Sequence, residues 1–459
     1  MKALVTAVKH SASNSYFALA AESPKVIELN SKYALQPGAL VEVNSNFEVT
    51  QILQDKADSS ISESIRNSAE KAVSLHLSGV CYAGVDGIAA TVDKLWPSVV
   101  EAAKQFLIKI YYSAPIIVRF HNDTDGASGA YALYKALKSL GYDANVVWLM
   151  HKSIAYSESD AENDLLIANA YDSLEKPLLF ITDFGTSLES SNGISLVSEK
   201  FDIIWLDHHP VPKDFAWSKL AHYINPWLFG GDSNFTAGLL TSIFACSFSK
   251  ISVDEIVQAS LIGDYSTFSK PTENSRNLAT ILDLATSDTH LAGSQKDNLT
   301  PEMIDSLLSN EKKKSELIAY AESRISDMID EAIEGIKMHK ALKGNIYVAD
   351  FEKIRGESEE RYPLPGRFAS KLLDKIEELD SSNAIVVLHF GSFISLRSGK
   401  GLRDKLNLLD VIERIKEKYG SQIESGGGHM SAASIKLADT GNKKSVIGEV
   451  VEELKKKLS

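Results

Sequence analysis

Three short segments of this 459-residue chain concentrate side chains that can ligate metal or move protons: His121-Asn122-Asp123-Thr124-Asp125-Gly126, a single acid at Asp183, and Asp207-His208-His209. Each follows an apolar run of strand character, Ile116 to Phe120, Leu178 to Ile181 and Ile203 to Leu206. If these runs are parallel strands of one sheet, their carboxyl ends share an edge, and open parallel sheets bind ligands at that edge. The edge then collects two or three imidazoles and at least four carboxylates. Carboxylates crowded together resist ionisation unless a cation stands between them, so this composition points to divalent metal. In His121-x-Asp123-x-Asp125 the two-residue spacing turns all three side chains to one side of an extended segment, and Gly126 leaves room for the chain to turn into a helix. One carboxylate shared by two ions is the economical form of a dinuclear centre, and Asp183, alone on the middle strand, is the candidate. A single acid at a strand end is more often a helix cap; three such endings on consecutive strands argue for a joint site.

The elements that must position these residues are legible around them. Strand runs alternate with helical segments from Pro115 onward, Asn145 to Leu149 being a further strand and Ala127 to Leu140 a helix closed by Gly141, which is the signature of a parallel α/β sheet. Residues 1–55 alternate apolar and polar positions in short runs, as a small antiparallel β unit does, and residues 56–114 take a helical period. Residues 301–342 read as a polar helical connector without strands. A second α/β unit follows over 343–459, with strands at Ile346 to Val348, Ala384 to Phe390, Phe393 to Arg397 and Ala433 to Leu437, and a distinctive loop from Gly420 to His429.

Composition excludes several classes. Two cysteines, Cys81 and Cys246, in no ligand-like spacing, read as buried apolar residues and rule against a disulfide scaffold. The N-terminal apolar run is too short for a signal peptide, and no stretch is long enough to span a bilayer, so a cytoplasmic protein without membrane contact is expected. A net charge of −13 argues against coating nucleic acid by bulk electrostatics. The charge is uneven: Lys343 to Ser459 carries 20 basic against 18 acidic residues, so the acidic excess lies in the part that holds the candidate metal ligands.

The three segments resemble the motifs of the DHH phosphoesterase family. His121 to Gly126 is similar to its first motif, Asp183 to its second and Asp207-His208-His209 to its third, while Ala259-Ser260-Leu261-Ile262-Gly263-Asp264 looks like its fourth and adds Asp264 as a ligand. Read alone, Asp264 is an acid ending an apolar helix. In the C-terminal unit, Ser395-Leu396-Arg397-Ser398 and Gly426-Gly427-Gly428-His429 look like the substrate-binding motifs of the associated DHHA1 domain. Consecutive glycines can present several backbone N–H groups to one anion, and Arg397 can pair with phosphate. The resemblance implies an α/β architecture: a small β-rich unit (1–55), a DHH domain with its leading helices (56–300), a helical connector (301–342) and a smaller α/β DHHA1 domain (343–459).

The resemblance further implies two divalent ions, Mn²⁺ before Mg²⁺ because imidazole and carboxylate donors are mixed. His121, Asp123 and Asp183 would hold the first ion, and Asp125, Asp183, His208 and Asp264 the second. His209 would contact the scissile phosphate or leaving oxygen, with Asp207 orienting a neighbour; Arg397, Ser398, Gly426, Gly427, Gly428 and His429 would bind substrate. The activity implied is phosphodiester hydrolysis, foremost by a RecJ-like exonuclease of archaeal type acting on single-stranded DNA or RNA, with a DNA-repair or replication partner in view. An enzyme for short oligoribonucleotides, cyclic dinucleotides or a nucleotide bisphosphate is the alternative, and a non-catalytic replication scaffold the third reading. The oligomeric state is left open. Residues 1–114 match no family, and an OB-like nucleic-acid module or a packing element are both open there.

Overall fold

The computed structural model describes all residues except 12–13, 22–24, 143–144, 215–218, 295–296, 357–360 and 403–404. Contacts divide the chain into two units, Met1–Ser309 and Asn310–Ser459.

In the first unit the N-terminal alternation becomes an antiparallel sheet of β1 (Lys2–Lys9), β2 (Ser15–Ala20), β3 (Val26–Leu29), β4 (Leu40–Val43) and β5 (Val49–Gln54), in the order β3-β2-β1-β4-β5. A parallel bridge between Asn30 and Glu48 draws the two outer strands together. Ala3, Val5, Ala18, Ile27, Val41 and Val49 fill the interior. Leu4, Phe17 and Leu19, which alternate with those positions, are buried too, so β1 and β2 are covered on both faces. OB-folds bind nucleic acid on an open face of their second and third strands, and β2 offers no open face.

Two helices follow, α1 (Ser59–His76) and α2 (Ala89–Tyr111). The parallel sheet is then built from β6 (Ile116–His121), α3 (Thr124–Leu140), β7 (Val146–His151), α4 (Glu158–Asn169), the short β8 (Tyr171–Ser173), β9 (Leu178–Thr182), α5 (Ser191–Val197), β10 (Asp202–Leu206) and β11 (His222–Ile224). Its order is β11-β10-β9-β6-β7 with every pairing parallel, while β8 pairs with β1 instead. The chain leaves β6 for β7 on one side and returns to lay β9, β10 and β11 on the other, so the β6/β9 boundary is the topological switch point where such sheets open a crevice. The longer strands fall where their apolar runs place them; β8 and β11 have three residues each, too few to show a period. Helices α6 (Ala237–Cys246), α7 (Asp254–Gly263), α8 (Glu273–Ser287) and α9 (Pro301–Leu308) complete the unit. α6 is apolar on nearly every side and is buried accordingly.

The second unit opens with α10 (Glu311–Gly335), then β12 (Lys337–Ala341), β13 (Gly344–Asp350), α11 (Phe351–Arg355), α12 (Pro365–Leu379), β14 (Ala384–Phe390), β15 (Phe393–Ser398), α13 (Leu408–Tyr419), β16 (Ile423–His429), β17 (Ala432–Leu437) and α14 (Lys443–Lys457). The six strands form one sheet in the order β12-β13-β14-β15-β17-β16. Along β14, Ile385 and Val387 join a core with α13 and α14 residues, whereas Val386 and Leu388 join one with Phe368 and Leu372 of α12. Burial on both faces explains why Ala384 to Phe390 reads as a continuous apolar run.

Three expectations are corrected. Residues 301–342 are not strand-free, since β12 begins at Lys337; it is an edge strand of Lys, His and exposed Met with no apolar alternation to reveal it. The Gly420 to His429 segment is not a loop, because from Ile423 it is the edge strand β16, paired with β17. Cys81 and Cys246 are only partly buried, and they are unbridged. Among the described residues no helix is long and apolar enough to cross a membrane.

The strand that ends at Asp183 is backed by an aromatic cluster. Phe106 of α2 meets Phe180 of β9, Phe244 of α6 and Phe248 with ring centroids 5.9, 5.5 and 5.7 Å apart. Phe106→Ala is expected to lower the unfolding free energy of the first unit by about 3–5 kcal/mol in denaturant titration. Leu75→Ala, at a position 81% exposed, is expected to stay within about 0.5 kcal/mol of the parent.

Candidate metal centre

β6 ends at His121 and α3 begins at Thr124, so the first acidic segment is the corner between them. Asp123 is the N-cap of α3: its Oδ1 accepts the Gly126 N–H at 3.0 Å, while Oδ2 lies 2.6 Å from His121 Nδ1. It is thus both a cap and a member of the site. Asp125 reaches the site from the first turn of α3 and not by extended alternation, which corrects the geometry expected from the sequence. It is fully buried. Its Oδ2 accepts the N–H of Ala237 at 2.8 Å, and its Oδ1 accepts the N–H of Gly238 at 2.8 Å and the hydroxyl of Ser260 at 2.6 Å. The positive end of α6 is therefore aimed at this carboxylate. Close approach demands glycine at two places: a Cβ on Gly126 would lie 2.4 Å from the His121 carbonyl oxygen, and one on Gly238 would lie 2.9 Å from Asp125 Oδ1.

Asp183 follows β9 in a left-handed conformation, φ 71°, with its N–H held by the Leu206 carbonyl at 3.1 Å. Its Oδ1 lies 3.3 Å from His208 Nε2, and its Oδ2 lies 3.9 Å from His121 Nδ1. The acid therefore spans both imidazoles. Oδ2 is buried and accepts no hydrogen bond among the described residues. A buried carboxylate oxygen with no hydrogen bond, on an acid that faces two imidazoles, is suited to ligate a cation.

Behind β10, the buried Asp207 accepts the His208 N–H at 2.8 Å and faces His209 Nδ1 at 2.8 Å through Oδ1, and accepts the Thr186 N–H at 3.2 Å through Oδ2. It orients the two histidines. His208 Nδ1 meets the Ser233 carbonyl at 2.9 Å, which puts the proton there and turns the Nε2 lone pair toward the acids. Nε2 stands 3.6 Å from Asp125, 3.3 Å from Asp183 and 3.2 Å from Asp264, the last at the C-terminal end of α7. Two donor groups result. His121, Asp123 and Asp183 bring ligand atoms within 4.8 Å of one another, as do Asp125, His208 and Asp264. Asp183 also groups with Asp207, His208 and His209, so it touches both halves.

Without a cation this arrangement retains protons. Burial, then the charges of Asp123, Asp125 and Asp264, raise the Asp183 carboxyl well above the usual carboxylate range. Burial and the Asp125 charge push Asp264 up to about 7, and Asp125 is also raised, chiefly by burial. Burial alone would lower His121 and His208, but the carboxylates facing them raise both. Asp123 and Asp207 go the other way: burial opposes, yet His121 beside Asp123 and His209 beside Asp207 hold them below the usual range.

A profile of the DHH family, N-terminal domain, matches residues 115–263. The chain carries a DHH-family domain. Those residues run from just before β6 to the residue before Asp264, and they enclose the switch-point crevice. An uncharacterized protein of Methanocaldococcus jannaschii is 25% identical over 420 residues, 79% of this chain and 54% of that relative, so the chain spans about half the length of the curated relative it matches. A solved structure of the DHH domain of a member of a family of ribosomal proteins superposes with a TM-score of 0.70, at 20% identity over 86% of this chain and 98% of that one, and shows the same fold. A weaker likeness, TM-score 0.48 at 14% identity over 84% of this chain and 58% of that one, is to RecJ from Thermus thermophilus in complex with Mn²⁺.

Several residues of the DHH domain that shape the site escape a reading of its motifs. Ser260 carried a signal, since it precedes Asp264 by one helical turn and shares its face. Arg119 carried one too, as a lone charge in an apolar strand; its guanidinium binds both oxygens of Asp164 at 2.8 Å and clamps α4 to β6. Gly238 and Ser233 act through backbone groups that no side-chain pattern announces.

In the second unit, Arg397 lies on β15, where Nε donates to Ser370 Oγ at 3.0 Å, Nη1 to Ser395 Oγ at 3.0 Å and to the Leu396 carbonyl at 2.9 Å, and Nη2 to the Gly366 carbonyl at 3.3 Å. Ser398, at the end of the same strand, is buried and hydrogen-bonds the Ser431 carbonyl through its N–H at 2.9 Å. Gly426, Gly427, Gly428 and His429 form the outer strand β16, so their backbone groups are shared with β17 and only the outward ones can meet an anion. Arg397 and His429 both register with Ala432, which puts them on one face of three adjacent strands.

Proton retention predicts a linkage. Asp125, Asp183, Asp264, His121 and His208 all bind protons more tightly when folded, so their contribution to metal-free stability is present at low pH and is lost as pH rises, for Asp264 between its ordinary carboxylate range and about 7 and for the two histidines above the ordinary imidazole value of about 6.5. A divalent ion displaces those protons. The rise in Tm produced by Mn²⁺ is therefore expected to be several degrees larger at pH 8 than at pH 5.5; groups such as His222 titrate with and without metal and cancel in the difference. An equal rise at both pH values would show that these groups do not take up metal.

Proposed function

We propose that this chain is a metal-dependent phosphodiesterase, a RecJ-like exonuclease that hydrolyses single-stranded DNA or RNA. The observation that carries the reading is Asp183, a buried acid between two clusters of imidazole and carboxylate with one oxygen left over. The donor set fits two divalent ions, with His121, Asp123 and Asp183 around one and Asp125, Asp183, His208 and Asp264 around the other. Mixed nitrogen and oxygen donors favour Mn²⁺ over Mg²⁺. When bound, such a pair supplies Lewis-acid polarisation of a phosphoryl oxygen and acidifies a water.

The chain's own residues do the rest. Asp207 fixes His209 through Nδ1, so proton exchange with the phosphate or leaving oxygen falls to Nε2. The α6 N-terminus and Ser260 hold Asp125 in place, so it cannot turn away to solvent. In the second unit, proposed as a DHHA1-type substrate domain, Arg397 is locked by four hydrogen bonds. Preorganised in this way, it and His429 can hold a phosphate or base at little entropic cost. Ser398 supports β15, and the outward N–H groups of Gly426 to Gly428 supply further anion contacts.

Asp183→Asn is the decisive variant. Asn tolerates the left-handed backbone that Asp183 adopts, so the fold should survive while the shared charge is lost. Hydrolysis with Mn²⁺ is expected to fall by about three orders of magnitude or more, with a circular dichroism spectrum unchanged; a parental rate would exclude the dinuclear reading. For substrate length, an exonuclease should show kcat/KM rising with strand length and falling with salt. A maximum at dinucleotides with long strands untouched would favour the short-oligonucleotide alternative.

A further inference from the structure

Beside the metal centre, the turn Pro226–Phe229 follows the strand end of β11. Asn225, fully buried, caps it: its Oδ1 accepts the Trp227 N–H at 3.0 Å, and its Nδ2 donates to the His209 carbonyl at 3.0 Å and to the Tyr223 hydroxyl at 2.8 Å. The Trp227 indole Nε1 donates to the His208 carbonyl at 3.0 Å and to Ser233 Oγ at 3.2 Å, and Ser233 Oγ itself donates to that carbonyl at 2.8 Å. The same Ser233 fixes the His208 ring through its own carbonyl at 2.9 Å. Trp227 is therefore tied to the backbone of the histidine segment, directly at His208 and through Asn225 at His209. Gly230, with φ 83°, ends the turn, and a Cβ on Gly231 would meet Pro226 at 2.9 Å and Thr91 at 3.0 Å, so the segment is packed too tightly to swing.

This anchored indole is 39% exposed. Trp205 and Trp148 are buried and Trp96 is half-buried, so among the described tryptophans Trp227 stands out. A tryptophan buried for packing hides its rings, whereas this one is held by its N–H and leaves more than a third of its surface open.

We infer that Trp227 is a stacking platform for the nucleobase next to the phosphate bound at the metal centre. The inference rests on the phosphodiesterase reading and names a residue that sets its substrate class. Rigid aromatic faces stack any base without reading its edge, and the indole is tethered to the backbone carbonyl of His208, the residue whose imidazole faces Asp183 and Asp264. Trp227 would be a binding residue selecting base-bearing esters over bare sugar phosphates.

The test is binding, by calorimetry, of dAMP and of deoxyribose 5-phosphate to the Mn²⁺-loaded full chain. The parent should prefer dAMP. Trp227→Ala should lose roughly ten- to a hundredfold in dAMP affinity and nothing in sugar-phosphate affinity, with metal content unchanged. Trp227→Phe, which keeps a ring but not the N–H, should retain most of the preference. A parent that binds both ligands equally, or a Trp227→Ala protein that discriminates as the parent does, would overturn the inference. Hydrolysis of bis-p-nitrophenyl phosphate reports separately on the reading beneath it: if the parent cleaves no phosphodiester, that reading falls while the base preference can still be measured.

Discussion

Mutual repulsion among buried carboxylates is the constraint on which this structure turns. Asp123, Asp125, Asp183 and Asp264 crowd around two imidazoles, and ionising all four acids there without a cation would be strongly unfavourable. The protein meets the conflict by retaining protons, which is why Asp183 and Asp264 are raised and both histidines stay basic. A fold seeking only stability would replace such a cluster by apolar residues. Its persistence at the switch point of a parallel sheet is intelligible if cations enter it.

Much of the surrounding structure serves to hold these groups in place. The α6 N-terminus and Ser260 grip Asp125, the α3 cap grips Asp123, and Asp207 with Ser233 fixes the two histidines by backbone and side-chain hydrogen bonds. Gly126 and Gly238 are required by contact distance, the one against the His121 carbonyl and the other against Asp125. Supporting contacts of this kind commonly matter to metal sites nearly as much as the ligands do. The aromatic cluster around Phe106 then ties β9, and with it Asp183, to two helices.

The parts of this arrangement that sequence reveals are those with a periodic or chemical signature. Parallel strands buried on both faces show as apolar runs, so β6, β9 and β10 and the acids at their ends are readable together. What escapes has no such signature. The β12 and β16 edges are polar or glycine-rich, β8 and β11 are three residues long, and the N–H groups of Ala237 and Gly238 are invisible to any reading of side chains. The strand-to-helix corner at Asp123 likewise places Asp125 by helical geometry where the spacing suggests extended alternation, with the same acids converging. Trp227 lies in a stretch without motif, and its exposure and its hydrogen bonds to the histidine segment set it apart only in the structure.

The most direct measurement is the anomalous scattering of manganese in crystals of the protein grown with Mn²⁺. Two peaks are expected in the first unit, one among His121, Asp123 and Asp183 and the other among Asp125, His208 and Asp264, with Asp183 reaching both. A single peak, or manganese bound only away from these residues, would contradict a dinuclear centre and the chemistry proposed from it.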